Sequence, residues 1–329
     1  NDRLGKKLLE LHGYGILDSW SIGQINSRVE KRLRQEAFRE IPFKQPQLHS
    51  GDMVLGADEK HQPIMSFVQS MNAGTLLLGN TGSGKTTLIS FYALQIAKQV
   101  AGLWLVDLRK KEFRMLLPLF AGMGIDLVVV RGRKFKINPL EVPLSTDPYE
   151  YAATITDVLV KVLNLPPRAS VLLSIAIIKL YKQFNVFADS SHKYPTLFHL
   201  FEAIRVDKDA NSQARQAVLD NLELILLAFG AEMLGYYKGW GVHELAKHHM
   251  VSELTGQPEA GKDLVLNYLI AAEFISRVSR GISNKKMDLW INCDEGQRMF
   301  SQSKETEGYG GNSTTDLAGL VRGTGAGLC

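Results

Sequence analysis

Lys85 and the glycines around it have types and spacing that could do chemistry. Gly79-Asn80-Thr81-Gly82-Ser83-Gly84-Lys85-Thr86 fits the phosphate-binding pattern G-x-x-x-x-G-K-[ST] at every fixed position. Gly79, Gly82 and Gly84 let the backbone turn tightly, so that successive N–H groups and the start of the next helix face the oxygens of a bound triphosphate. Lys85 brings a compact positive charge to the β- and γ-phosphates. The hydroxyl of Thr86 completes the shell of a Mg²⁺ ion, and Thr87 follows within the same cradle. The chemistry implied is binding and hydrolysis of ATP.

Asp294 and Glu295 form the second set. They end the apolar stretch Met287-Asp288-Leu289-Trp290-Ile291-Asn292-Cys293, far downstream of the glycine-rich loop. In that position Asp294 holds Mg²⁺ and Glu295 polarises the attacking water. A strand-end glutamate suits water activation, which disfavours kinases and small GTPases. Two other features carry open alternatives. Asp107 ends the apolar run Gly102-Leu103-Trp104-Leu105-Val106 and either caps the next turn or lies near the metal and phosphates. Arg131-Gly132-Arg133-Lys134-Phe135-Lys136 is either a solvated turn or a contact to a phosphate backbone.

These residues need elements to position them. Residues 75–78 read as a buried strand entering the loop, and residues 87–100 as the helix leaving it. Residues 53–56 and 63–68 flank a polar turn and predict a β-hairpin. Further buried strands are predicted at 102–107, 125–130, 249–254 and 287–295, with a helix over 262–279. Between them the strand signals stop, and helices are predicted over 148–165, 168–184, 195–204 and 212–229. The organisation expected is a helical segment over 1–46, a nucleotide-binding core over 47–145 and 246–329, and an all-helical insertion over 146–245. Within 1–46, the basic residues alternate with glutamates at helical spacing. That reads as a solvated helix face, with nucleic-acid contact the alternative. Residues 301–313 read as a polar, glycine-rich loop. The last residues read as a strand that starts and does not finish, which predicts further chain beyond Cys329.

At 329 residues, with 45% hydrophobic and 22% charged, the composition is that of a globular protein with room for a core and an insertion. No apolar run approaches the roughly 18–20 residues of a membrane span. The first residues lack the apolar centre of a signal peptide. The two cysteines, Cys293 and Cys329, make no disulfide framework, and a reducing, cytoplasmic setting is expected. A net charge of +4 permits nucleic-acid contact without requiring it.

The order of motifs resembles the HerA/FtsK superfamily of ring-forming motors. It runs from the Gly79 loop through Asp107-Leu108-Arg109-Lys110-Lys111-Glu112-Phe113, Ile137-Asn138-Pro139-Leu140 and a helical insertion. Val251-Ser252-Glu253-Leu254, Asp294-Glu295 and Arg322-Gly323-Thr324-Gly325-Ala326-Gly327-Leu328 follow. The likeness covers roughly residues 50–329 and is nearest to HerA-type translocases and to the ATPases of conjugation and type IV secretion. It implies an additional-strand, RecA-like α/β core with a mostly parallel sheet. It also implies ATP with Mg²⁺ and a homohexameric ring with ATP sites between subunits. Arg322 matches the position whose arginine reaches a neighbouring subunit's site. The family departs from this chain in carrying a small β-barrel where residues 1–46 read as helical, and a second basic residue where Gly323 stands. The main expectation is a motor that translocates double-stranded DNA. The alternatives are a secretion ATPase working with membrane-machine partners, and a nucleotide-gated scaffold that docks an effector protein.

Overall fold

Buried apolar runs must pair their backbone groups with one another, because no water reaches them. Trp104 and Trp290 have no solvent exposure, and each lies in such a run. The computed structural model describes residues 50–80, 82–188, 193–207, 211–282, 286–293 and 324–329. All belong to one of two compact units of the chain, residues Leu48–Cys329. The helical reading of 1–46 and the loop reading of 301–313 lie outside the described residues.

The described residues open on an antiparallel hairpin of β1 (Met53–Ala57) and β2 (Pro63–Ser66). The Asp58 side chain accepts the N–H groups of Lys60 and Gln62, both at 2.8 Å, and so closes the turn. Next come α1 (Lys85–Ile96), β3 (Gly102–Asp107), α2 (Leu117–Gly122) and β4 (Leu127–Arg131). Among the described residues, six helices follow without an intervening strand: α3 (Pro148–Val162), α4 (Pro167–Gln183), α5 (Leu197–Val206), α6 (Ser212–Phe229) and two single turns, α7 (Ala231–Leu234) and α8 (Val242–Leu245). The chain then returns through β5 (His249–Glu253), α9 (Glu259–Ser279), β6 (Leu289–Cys293) and β7 (Ala326–Leu328).

The five later strands make one parallel sheet in the order β4-β5-β3-β6-β7. Because side chains alternate along a strand, the two faces bury different partners. One face carries Leu103, Leu105, Val251 and Trp290 against Ile89, Ala93 and Ile96 of α1 and Phe120 of α2. The other carries Trp104, Val106, Met250 and Ile291 against α9 and the helices of the insertion. α9 is buried along most of its length and passes so near α6 that a Cβ on Gly261 would meet the Phe229 ring at 2.3 Å. The chain has a RecA-like α/β core with a helical insert.

Two expected strands differ. Residues 75–78 form no strand, and Leu76 and Leu78 are 74% and 82% exposed. A strand needs a continuous partner, and here the pairing consists of the Thr75 N–H donating to Leu328 O at 2.8 Å. The strand predicted over 125–130 runs from Leu127 to Arg131 and is largely solvated, because it is an edge strand of the described sheet, paired through β5.

Candidate functional site

Gly82 and Gly84 adopt left-handed backbone angles, φ +81° and +85°, that L side chains rarely reach. Their glycines therefore follow from the shape of the loop. At Gly79 an added Cβ would stand 2.4 Å from Ser83 Oγ, so the Ser83 side chain would have to turn aside. The Ser83 N–H donates to Asn80 O at 3.2 Å and draws the loop into a turn. Thr81 lies outside the described residues.

The loop feeds directly into α1, which begins at Lys85 with Gly84 as its N-cap. No side chain caps this helix and no acid occupies its first turn. Its leading N–H groups are therefore open to an anion, and the helix dipole adds to the attraction. The Lys85 ammonium donates to Gly79 O at 2.7 Å and Asn80 O at 2.9 Å, lying across the loop within reach of a phosphate seated there. Thr86 and Thr87 stand in the same first turn. The donor set, a cation beside an uncapped and acid-free helix start, fits a triphosphate. Thr86 carries a hydroxyl that could ligate a Mg²⁺ ion.

Two backbone hydrogen bonds relate this loop to the second motif. Thr75, four residues before Gly79, donates to Leu328 O at 2.8 Å. Across the same strand, the Cys293 N–H donates to Cys329 O at 2.9 Å. The segment entering the glycine-rich loop and the end of β6 thus flank the tip of β7, about 10 Å apart at two inter-strand spacings. Asp294 and Glu295 are the next residues after Cys293. Both lie outside the described residues, as does Arg322.

The other strand-end acids are engaged elsewhere. Asp107 is buried and accepts the N–H groups of Lys110 at 2.9 Å and Glu112 at 2.8 Å, so it caps its turn. Burial pushes its carboxyl up from the ordinary value, against the pull of those amides. β6 and β7 separate β3 from the Thr75 segment, so Asp107 is remote from the loop. Glu253, at the matching end of β5, is buried and bonded by both nitrogens of one fork of Arg114, with Nε to Oε1 at 2.7 Å and Nη2 to Oε2. Arg131 Nε lies 4.0 Å from the same carboxylate. Sequence reasoning missed this cluster. The available signal was an acid ending a buried strand with arginines after two neighbouring strands.

The basic run is divided in use. Arg133 Nε donates to Ala228 O at 2.9 Å, Lys136 lies 4.7 Å over the Tyr236 ring and Phe135 is buried, whereas Arg131, Arg133 and Lys134 remain exposed. Among the described residues no helix is long and apolar enough to cross a membrane.

No protein-family model matches the chain, and no curated protein matches it. A solved structure does: VirB4 of Thermoanaerobacter pseudethanolicus, at a TM-score of 0.58 and 16% identity, over 85% of this chain and 76% of that one. At that identity the likeness is one of fold, and the chain shares the VirB4 fold over most of its length.

Proposed function

We propose that this chain is a Mg²⁺-dependent ATPase of the type IV secretion and conjugation kind, which uses hydrolysis to energise transport of a substrate. The observation that carries the reading is the pair of backbone contacts at the tip of β7. They bring the segment entering residues 79–86 and the segment entering Asp294 to the two sides of one strand. The likeness to VirB4 weighs toward the secretion reading over the DNA motor.

In this reading the nucleotide core comprises 47–145 and 246–329, with 146–245 inserted. Residues Gly79, Asn80, Thr81, Gly82, Ser83, Gly84, Lys85, Thr86 and Thr87 cradle the phosphates. The open amides at the start of α1 bind oxygens, and Lys85 moves from its own loop carbonyls to the β- and γ-phosphates. Thr86 and Asp294 would hold Mg²⁺, which would supply positive charge against that developing on the phosphates. Glu295 orients the attacking water and takes its proton. Arg322 serves a neighbouring subunit's site in a homohexamer, where it stabilises transition-state charge. An Arg322→Ala subunit mixed with a Glu295→Gln subunit then restores some hydrolysis at mixed interfaces.

A second reading, translocation of double-stranded DNA, is favoured by the exposed Arg131, Arg133 and Lys134 at the carboxyl edge of the sheet. Steady-state ATP hydrolysis with and without long linear duplex DNA separates the two, with Glu295→Gln as the blank. Hydrolysis indifferent to DNA supports the secretion reading. Strong stimulation that the variant abolishes supports the DNA motor, and no hydrolysis above the blank refutes both.

A further inference from the structure

Three segments that take no part in the phosphate chemistry are bonded to one another. One is the basic turn, residues 131–136, with the residues just after it. The second is the return segment, residues 233–241, by which the chain passes from α6 toward β5. The third is residues 193–196, ahead of α5. The Trp240 N–H donates to Lys136 O at 2.9 Å, the Tyr194 N–H to Tyr237 O at 3.1 Å and the Ile137 N–H to Met233 O at 3.1 Å. Buried side chains complete the join. Asn138 Nδ2 donates to Pro195 O at 3.0 Å and Tyr237 O at 3.2 Å, and the Gly239 N–H donates to the buried Glu141 at 2.6 Å. The surface above these bonds is therefore fixed from beneath.

That surface is aromatic and cationic. Tyr237 and Trp240 are 44% and 38% exposed, and rings of that size left in water forgo much of the gain of burial. Each is steadied by a neighbouring ring, Trp240 by Phe135 and Tyr237 by His199, both at 5.7 Å between centroids. Ammonium groups sit at the rings as well: Lys193 Nζ lies 5.4 Å over Tyr237 and Lys136 Nζ 4.7 Å over Tyr236. Lys238 is exposed between Tyr237 and Trp240, and no acid occurs in residues 131–136, 193–196 or 236–240. The acids that touch these segments, Glu141 and Glu253, are buried and bonded to Gly239 and Arg114. Burial pushes the Glu141 carboxyl up to about 7, which thins the negative charge it sets against these cations.

Cations attract any phosphate backbone and so do not choose among nucleic acids. The rings do, because a duplex keeps its base faces covered, whereas an unpaired base can lay its face on an exposed ring. We propose that the surface made by Tyr237, Trp240, Lys136, Lys193 and Lys238 binds single-stranded nucleic acid, with bases stacked on the two rings and phosphates paired with the ammonium groups. Because the segments are already bonded in place, little ordering accompanies binding. The surface uses no residue of the glycine-rich loop and needs no ATP, so it stands or falls separately from the ATPase reading.

Fluorescence anisotropy tests this, with a labelled oligothymidylate of about 20 nucleotides titrated with the full chain at about 50 mM salt and without ATP. The oligomer is expected to bind more tightly than a duplex of the same length, and less tightly as salt rises. Trp240→Ala is expected to weaken binding roughly five- to 150-fold, the scale of one lost base stack, with the dependence on salt unchanged. Lys238→Gln instead lowers the slope of log affinity against log salt by about 0.7, the share of one phosphate contact on a single strand. No binding of the oligomer at about 10 µM chain, or a duplex bound equally or better, overturns the proposal. So does displacement of the oligomer by polyglutamate as readily as by unlabelled oligothymidylate, which would mark a surface that reads charge alone. Unchanged affinity in Trp240→Ala also overturns it. If that variant fails to fold, Tyr237→Leu, which keeps apolar volume and removes the ring, is judged by the same criterion.

Discussion

The carboxyl edge of the sheet has two ends that treat polar groups in opposite ways. At the β3 and β5 end, both Asp107 oxygens accept backbone amides and both Glu253 oxygens face Arg114. At the glycine-rich end, the first amides of α1 have no side-chain cap, and Lys85 bonds to carbonyls of its own loop. Buried polar atoms that find partners inside the chain stabilise the fold. Donors left open at an exposed helix start are available for a ligand. A strand-end carboxylate is therefore no guide to chemistry until its partners are known.

The largest effect that would break this contrast is at Lys85. Lys85→Ala is expected to lower ATP hydrolysis by at least about a hundredfold, the scale of losing one preorganised charged donor, and to change unfolding free energy by under about 0.5 kcal/mol. Activity assays beside urea titration check both halves. A variant that unfolds would place Lys85 with the structural groups instead.

Arg114→Leu is the converse test. It leaves the Glu253 side chain, 2% exposed, with Arg131 at 4.0 Å as a weak substitute. The urea midpoint is expected to fall, because the buried carboxylate loses the arginine that bonds both its oxygens. Nucleotide binding, read by fluorescence of a labelled analogue, stays near wild type where the variant is folded. Loss of binding with stability intact would erase the distinction between the two ends.

Gly239→Ala probes a contact away from both ends. The added methyl carbon must displace backbone at 2.8 Å, and overpacking of this kind costs about 1–3 kcal/mol in unfolding free energy. An unchanged midpoint in urea would show that the return segment yields easily.

The smallest effect is a slope. Glu273 is buried beside Arg277, which donates to it at 2.7 Å, yet burial dominates and its carboxyl is pushed up to about 7. The native state thus holds more protons than the unfolded chain between about 4.5 and 7, and stability falls as pH rises through that window. Glu273→Gln should flatten unfolding free energy against pH by at most about 1 kcal/mol per pH unit. Glu141 adds to the same slope, so the double variant should be flatter still.

Much of this fold was legible before any coordinates. The helices over 148–229 announce themselves through apolar spacing, and Asp147 caps α3 by accepting from Tyr149 and Glu150. The glycine-rich motif is legible because its constraints are local: a left-handed angle at Gly82 or Gly84 favours glycine wherever the loop sits. Leu76 and Leu78 misled for the complementary reason. Three leucines read as buried strand, but strand formation depends on a neighbour that periodicity does not reveal.

What the sequence determined by itself was the set of parts: an apolar sheet, a helical insertion, a glycine-rich loop and acids at strand ends. Their composition and spacing act over a few residues. Only the tertiary structure decided that Asp107 caps a turn, that Glu253 faces Arg114, and that Glu141 meets Gly239 from 98 positions away. It also decided that the ways into Gly79 and Asp294 flank one strand. Those outcomes depend on strand order and burial, which arise from contacts between distant segments, and such contacts leave no period in the chain.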